Sequence, residues 1–245
     1  MSLLVCPGRV QVLNQHGGLP VALARALTRQ LLQALTLLHS YGVVHRDVKP
    51  ENLMVNFHEH PSQCDPAAVQ LCLIDFGWAG IAKDRAAATL TSLAGSPGYC
   101  APEVLAWAEE DEEGLRADKA VIPRYSSACD IFSAGATVYV MISSDMPYSD
   151  DEDPSTTPLR FSTDWDSPGL ASAQALVRSL LTIAPTGRPT AEEALELLFL
   201  TEVPDERQSG KGRLLREKQR QASRDDVAIQ ITSCKIGRAS CRERV

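Results

Sequence analysis

Carboxylate, cationic and amide side chains alternate over eight residues of this chain, from His45 to Asn52 in the sequence HRDVKPEN. Phosphoryl transfer needs a carboxylate that orients the attacking hydroxyl, oxygen ligands that hold magnesium, and a cation that faces the developing charge. Asp47 can accept the hydrogen bond of a hydroxyl, Lys49 can supply the cation, and Asn52 can offer an amide oxygen to magnesium. Asp75 can add a second oxygen ligand. These residue types therefore indicate a site for phosphoryl transfer.

Two further motifs follow this block along the chain, Asp75-Phe76-Gly77 and Ala101-Pro102-Glu103. In this order the three motifs resemble the catalytic loop, the magnesium loop and the end of the activation segment of protein kinases. One tripeptide would be weak evidence. Three motifs in the required order, with an amphipathic helix before the first and a hairpin after it, make coincidence a poor explanation. The resemblance extends over about residues 3–200.

The resemblance implies roles for the polar residues of the site. Asp47 is the expected catalytic aspartate, Asn52 and Asp75 are the expected magnesium ligands, and Met54 is expected to form the floor under the adenine of ATP. Lys49 stands two residues after Asp47, which is the arrangement of the serine/threonine branch. The implied reaction is transfer of the γ-phosphoryl of ATP to serine or threonine hydroxyls of protein substrates.

Ser96 and Arg46 are the residues that the resemblance connects with the activation segment. Ser96 occupies the hydroxyl position that bridges Asp47 and Lys49 in the family. Arg46 is implied to receive a phosphate on the activation loop and so to order that loop. Three hydroxyl residues are the candidate phosphate acceptors, namely Thr89, Thr91 and Ser92.

Five further residues are implied to support the site, namely His45, Phe76, Glu103, Asp130 and Arg188. His45 and Phe76 are expected to make a ring contact. Asp130 is expected to brace the backbone of the catalytic loop. Arg188 is expected to form a partly buried ion pair with Glu103, and loss of one partner of such a pair is costly.

The hydrophobic pattern predicts the elements that must position these residues. Apolar residues at helical spacing or in a long apolar run predict helices over 21–38, 130–142, 172–181 and 191–200. Two β-prone runs, 53–55 and 69–74, predict a hairpin with a long loop, and residues 75–103 read as a loop. The expected fold class is α+β and protein-kinase-like, a mainly α-helical large lobe with a small β-hairpin at the active site.

The start of the sequence departs from the kinase pattern, because no G-x-G-x-x-G loop, no V-A-I-K lysine and no glutamate-bearing helix precede the first predicted helix. We therefore expect a fragment without most of the small lobe, which binds ATP weakly and transfers phosphate poorly. The expected segments are a hinge remnant and linker at 1–20, the large lobe at 21–200 with its activation segment at 75–103, an exposed charged tail at 201–234, and a translated sequencing adapter at 235–245.

Composition narrows the class of protein further. The chain has 245 residues and a net charge of -7, which argues against binding to nucleic acid phosphates. Its seven cysteines form no C-x-x-C pair, and His58, His60 and Cys64 have no fourth ligand at zinc-site spacing. No segment has the apolar length of a signal peptide or a membrane span, so we expect an intracellular protein. The cytoplasm is the expected compartment, and the nucleus is the alternative.

Two other functions compete with protein phosphorylation. A noncatalytic kinase-like binding module would keep the fold without the chemistry, and the intact set Asp47, Lys49, Asn52 and Asp75 argues against it. A small-molecule phosphotransferase of related fold is disfavoured by the sequence GSPGYCAPE, which resembles a platform for protein substrates.

Overall fold

The computed structural model describes residues 18–56, 64–81, 95–105, 126–149, 152–162, 165 and 170–201. All of these residues fall within the compact unit Met1–Val203. The helices are α1 Val21–Ser40, α2 Ala128–Ser143, α3 Ala171–Leu180, α4 Ala191–Leu195 and α5 Leu198–Thr201, and residues 102–105 are also helical. The strands are β1 Val43–Val44, β2 Leu53–Asn56, β3 Gln70–Leu73 and β4 Gly80–Ile81. Two 3-10 turns lie at Pro50–Asn52 and Pro185–Gly187.

Helix α1 confirms the amphipathic helix predicted over 21–38. Its buried residues recur at three- and four-residue spacing and are Leu23, Ala24, Leu27, Thr28, Leu31, Leu32 and Leu35. Pro20 precedes the helix with extended backbone, and the amides of Tyr41 and Gly42 donate to the carbonyls of Leu38 and His39 as the helix ends. The predicted start and stop signals therefore lie at the ends of the helix.

Helix α2 is buried along almost its whole length, from Cys129 to Ile142, as its continuous apolar sequence predicts. It packs against α1 and α3. Gly135 permits the close approach of α3, because a Cβ atom there would lie 2.9 Å from the Cβ of Leu180. Among the residues that the structure describes, no helix combines the length and apolar character needed to cross a bilayer.

Strands β2 and β3 form the predicted antiparallel hairpin, with Leu53 opposite Leu73 and Asn56 opposite Gln70. A second antiparallel pair, β1 with β4, places Val43 opposite Ile81. This second pair was not predicted, since residues 75–103 were read as a loop. A two-residue strand is too short to show a period of two, so its sequence carries no strand signal.

The C-terminal helix predicted over residues 191–200 is wrong as a single element, because α4 Ala191–Leu195 and α5 Leu198–Thr201 are separated by a turn. Between the two helices, the amides of Glu196 and Leu197 donate at 3.2 Å to the carbonyls three residues before them. This spacing winds the chain into a tighter turn than an α-helix. The turn lets Phe199 and Leu200 both enter the core, where each is 0% exposed. Burial of two adjacent apolar side chains outweighs the continuity of a short helix.

Gln30 of α1 holds the start of β3 through its side-chain amide. Its Nε2 donates to the carbonyl of Val69, and the amide of Leu71 donates to its Oε1, both at 2.9 Å. The side chain thus satisfies two backbone groups on that edge of the strand. Because Asp75 follows β3 in the chain, Gln30 also helps to position this candidate magnesium ligand.

Replacement of Gln30 by leucine is expected to lower the free energy of unfolding by about 1–3 kcal/mol, because the variant leaves two partly buried backbone groups without a partner. Urea unfolding followed by circular dichroism measures this change. Gln174→Leu on α3 is the matched control, since Gln174 has similar partial burial and makes no such strand contact. Equal unfolding midpoints for the two variants would contradict the role given to Gln30.

Candidate active site

Asp47 lies in the loop formed by residues 45–52, and three polar groups converge on its side chain. Ser96 Oγ donates to Oδ1 at 2.7 Å, and Asn52 Nδ2 donates to Oδ2 at 2.8 Å. Lys49 Nζ lies 3.0 Å from Oδ2 and also donates to Ser96 Oγ. Since Asp47 is only 5% exposed, these groups replace water around the carboxylate. Three residues predicted for the site, Ser96, Asn52 and Lys49, therefore contact the side chain of Asp47.

Opposing effects act on the pKa of Asp47. Burial raises this pKa, because a carboxylate loses hydration in the interior. Hydrogen bonds from Ser96, Lys49 and Asn52, together with the positive charge of Lys49, lower the pKa by more, so that it lies below the ordinary value of 3.8. Asp47 is therefore ionised at neutral pH and can accept a hydrogen bond from a hydroxyl.

Asn52 and Asp75 lie at the same end of the β2–β3 hairpin. The amide of Ile74 donates to the carbonyl of Asn52 at 2.9 Å, which joins the residue before β2 to the residue after β3. Asn52 Nδ2 donates to both the carbonyl and Oδ2 of Asp47, so its Oδ1 is the acceptor that remains. Asp75 is exposed, and one of its oxygens accepts from the amide of Gly77 at 3.1 Å.

Amide and carboxylate oxygens are the ligands that magnesium prefers, so the side chains of Asn52 and Asp75 fit this ion by chemistry. Among the described residues, no group of three or more His, Cys, Asp or Glu side chains is placed to hold a metal. A magnesium ion here would have Asn52 and Asp75 as its candidate protein ligands, with its other oxygens supplied from outside the protein. Met54, the predicted adenine floor, is half-buried in β2 opposite Cys72.

Asp130 is fully buried at the start of α2 and braces the 45–52 loop, as predicted. Its Oδ2 accepts from the amide of His45 at 2.8 Å, and its Oδ1 accepts from the amide of Arg46 at 2.7 Å. His39 Nε2 lies 2.8 Å from the same Oδ2. His39 was not predicted as a site residue, because the contact spans 91 positions and a histidine in the last turn of a helix is unremarkable by itself.

His45 and Phe76 make the ring contact that the resemblance implies. Their ring centroids lie 4.9 Å apart at an interplanar angle of 65°, an edge-to-face arrangement. His45 is fully buried, and its Nε2 lies 3.0 Å from the carbonyl of Ile74. Both contacts connect the 45–52 loop with the segment that carries Asp75, so the position of His45 is that of a support residue.

Arg188 forms the predicted ion pair with Glu103 in a two-pronged geometry, with N–O distances of 2.7 and 2.8 Å. Its remaining N–H groups donate to backbone carbonyls at 2.6, 2.9 and 2.8 Å, those of Thr182, Ala128 and Ile183 respectively. All five donors of the guanidinium are thereby used. The group also lies 5.0 Å from the ring centre of Phe132. Arg188 therefore joins the segment at Glu103 to α2 and to the turn after α3.

The sequence also matches a known family over most of its length. The family model for the protein kinase domain matches residues 4–200. The chain belongs to the protein kinase family. Members of this family share the protein kinase fold, and the described residues of this chain are mostly helical with small antiparallel sheets.

Curated relatives of this chain include protein kinases from distant organisms. A probable myosin light chain kinase of Dictyostelium discoideum is 32% identical over 185 residues, which are 73% of this chain and 53% of the relative. Calcium/calmodulin-dependent protein kinase type 1B of Rattus norvegicus is 33% identical over 184 residues, 73% of this chain and 46% of that enzyme. A DNA damage response protein kinase of Saccharomyces cerevisiae is 31% identical, and the match covers 74% of this chain and 35% of that enzyme. The chain thus spans about a third to a half of these relatives.

Part of the predicted activation segment, residues 75–103, lies within the described residues. Ser96 occupies the bridging position between Asp47 and Lys49 that the resemblance assigned to it. Arg46 Nε donates to the carbonyl of Trp78, just after the Asp75-Phe76-Gly77 motif. The three candidate phosphate acceptors at positions 89, 91 and 92 lie outside the described residues.

Cys100 lies beside the site but is held in its protonated form. It is buried, and Gly95 packs so closely on it that a Cβ atom at Gly95 would lie 2.5 Å from the Cys100 sulfur. Burial, followed by the negative charges of Asp47 and Glu103, raises the pKa of the Cys100 thiol to about 11. A thiol with such a pKa is a packing group rather than a nucleophile at neutral pH.

Alkylation by iodoacetamide at pH 8 is expected to be far slower at Cys100 than at Cys64 in the native kinase. A pKa of about 11 leaves roughly a thousandth of the Cys100 thiol as thiolate at this pH. Peptide mapping by mass spectrometry measures both rates, and labelling in urea provides the reference in which burial is removed. Native labelling of Cys100 at the rate of Cys64 would contradict the assignment.

Proposed function

We propose that the site built around Asp47 transfers the γ-phosphoryl group of ATP to serine and threonine hydroxyls of protein substrates. The observation that carries this proposal is the hydrogen-bonded set of Asp47, Ser96 and Lys49 next to the amide of Asn52. It combines an ionised carboxylate, a cation and the magnesium-type amide oxygen of Asn52 in one hydrogen-bonded set. Phosphoryl transfer requires these three kinds of group and little other chemistry from the protein.

Asp47 accepts the hydrogen bond of the incoming hydroxyl and directs its oxygen at the phosphorus. Its lowered pKa keeps it ionised for this purpose, and its bonds to Ser96 and Asn52 hold the carboxylate in one orientation. Lys49 uses donors on Asp47 and Ser96, and its ammonium has a third N–H for a phosphoryl oxygen. The positive charge of Lys49 thus stabilises negative charge on the transferring group.

Asn52 Oδ1 and the Asp75 carboxylate are the groups that would hold magnesium, and Met54 would contact the adenine ring of ATP. Magnesium supplies charge neutralisation to the phosphate oxygens when it is bound. Arg46 would receive a phosphate carried by Thr89, Thr91 or Ser92 and so connect phosphorylation with loop order.

A noncatalytic kinase-like binding module is the alternative function, since it would keep the fold and the family match without the chemistry. The experiment below measures the activity of the 245-residue chain against this alternative.

The decisive experiment incubates the purified chain with magnesium and γ-labelled ATP and three peptides that differ only in Ser, Thr or Tyr at one position. We expect labelling of the serine and threonine peptides, none of the tyrosine peptide, and loss of labelling in Asp75→Asn. Asp153→Asn, which changes an exposed carboxylate remote in sequence from the motifs, is the matched control. ATP binding without labelling of any peptide would overturn the proposal and favour the binding module.

A further inference from the structure

We propose that a cavity between residues 154–159 and the end of α3 binds a peptide segment of a protein partner, in which an aspartate or glutamate lies beside a large apolar residue. The cavity has a volume of about 410 Å³, a size at which proteins bind small ligands and single side chains of a partner. It shares no residue with the candidate active site. This inference therefore does not depend on the proposed phosphoryl transfer.

Tyr148 presents a hydroxyl without a partner to this cavity. The side chain is only 5% exposed, yet its Oη makes no hydrogen bond with a described residue. Burial, followed by the negative charge of Glu152, raises the pKa of Tyr148, so the hydroxyl is protonated at neutral pH and can donate. The hydroxyls of Ser155 and Thr157 line the same cavity and also lack a hydrogen-bond partner among the described residues. Buried donors of this kind gain free energy when a ligand supplies an acceptor.

Arg178 makes the acceptor an anion. It is the one charged side chain among the described residues that line the cavity. Its guanidinium lies 4.6 Å from the ring centre of Phe161, a contact that holds the group in place. None of its N–H groups donates to a described residue. A guanidinium with available donors binds a carboxylate in a two-pronged geometry, and aspartate and glutamate are the residues that supply this group.

The acidic side chains that precede the cavity in the sequence are engaged elsewhere. Glu152 Oε1 lies 3.0 Å from Arg160 Nη2, and its Oε2 accepts from the amide of Ser149 at 2.9 Å. Asp153 Oδ1 accepts from the amide of Ser155 at 2.8 Å. Neither carboxylate lines the cavity, so no acid among its described lining residues neutralises Arg178. The charge at the cavity thus favours an acidic segment over a basic one.

The backbone and the apolar lining of the cavity fit a peptide better than a small inorganic anion. Residues 158–162 belong to no helix or strand, and the amide of Leu159, which lines the cavity, donates to no described residue. An extended peptide can pair its own backbone with such a free group. Leu181 and Ile183 add apolar surface, and Ile183 is 37% exposed. A large apolar residue beside the acid would cover this surface.

Selection of random eight-residue peptides, displayed on phage, against the immobilised 245-residue chain tests the proposal. We expect the selected sequences to place Asp or Glu beside Leu, Ile or Phe. The Kd of a selected peptide, measured by fluorescence anisotropy, should rise by about 10- to 100-fold in Arg178→Gln and by about 3- to 10-fold in Tyr148→Phe. Arg178→Lys should fall between Arg178→Gln and the wild type, because it keeps the charge without the fork.

Arg29→Gln is the matched control, since it removes the charge of an exposed arginine on α1 and should leave the Kd unchanged. Tyr148→Phe keeps the buried ring, and circular dichroism reports whether each variant is folded. Selection of basic sequences, of purely apolar sequences or of none above background would overturn the proposal. Equal Kd values for Arg178→Gln and Arg29→Gln would show that the peptide binds elsewhere on the protein and would equally overturn it. Each of these outcomes is obtained without phosphoryl transfer, so a failure of the proposed function is recognisable separately.

Discussion

Replacement of Asp47 by asparagine is expected to reduce kcat by about 10²- to 10⁴-fold, the range for loss of a positioned acid–base group. The variant removes the charge that Lys49 faces at 3.0 Å, and it directs an amide N–H at a group that itself donates, either Ser96 or Asn52. The acceptor for the substrate hydroxyl is lost at the same time. Phosphate transfer to a serine peptide at saturating ATP measures the effect.

Asp65→Asn is the control for this variant, because Asp65 is an exposed carboxylate that accepts from the nearby amide of Ala67 and, among the described residues, makes no contact with the site. It should retain wild-type kcat. A loss of less than about threefold in Asp47→Asn, with folding intact by circular dichroism, would mean that Asp47 is not the acceptor of the hydroxyl proton.

The pKa of Asp47 also predicts the acid side of the pH profile. A carboxylate whose folded-state pKa is lowered contributes stability above its unfolded-state pKa and loses that contribution as pH falls through the folded-state value. Since the pKa of Asp47 lies below 3.8, its protonation should not reduce kcat or stability at any pH above about 5. A fall in kcat between pH 7 and 5 must therefore arise from another group.

Replacement of Arg188 by leucine is expected to lower the free energy of unfolding by about 3–5 kcal/mol, the cost of breaking a buried ion pair from one side. The guanidinium is 0% exposed at its side chain and Glu103 is 19% exposed. The variant would leave the Glu103 carboxylate and the carbonyls of Thr182, Ala128 and Ile183 without their donors. Urea unfolding followed by circular dichroism measures the change.

Three further variants test whether the loss of stability in Arg188→Leu arises from the broken ion pair. Arg188→Lys retains the charge but not the five donors, so it should fall between leucine and wild type. Arg188→Leu combined with Glu103→Leu should be less destabilised than Arg188→Leu alone, because no carboxylate is then left unpaired. Arg29→Leu on α1 changes an exposed arginine and should stay within about 0.5 kcal/mol of wild type. Equal stability of Arg188→Leu and Arg29→Leu would contradict the bracing role.

The residues of the site were predictable because its motifs are local in sequence. Asp47, Lys49 and Asn52 lie within six positions, so their types and spacing indicate the chemistry before any fold is known. Helix α1 was predictable because its apolar residues follow a helical period, and the β2–β3 hairpin because each strand has a β-prone run. These features depend on interactions between residues that are close along the chain.

Other features depend on tertiary structure because their partners are distant in the chain. The His39 contact with Asp130 spans 91 positions, and the Gln30 contacts with the start of β3 span 39 and 41. The pairing of β1 with β4 likewise joins segments that are distant in the chain. The turn between α4 and α5 follows from the burial of Phe199 and Leu200 rather than from a local period. The sequence by itself thus determined the kind of chemistry and the main helices and hairpin. Tertiary structure decided which distant polar groups support the site, because only packing shows which buried donors and acceptors must satisfy one another.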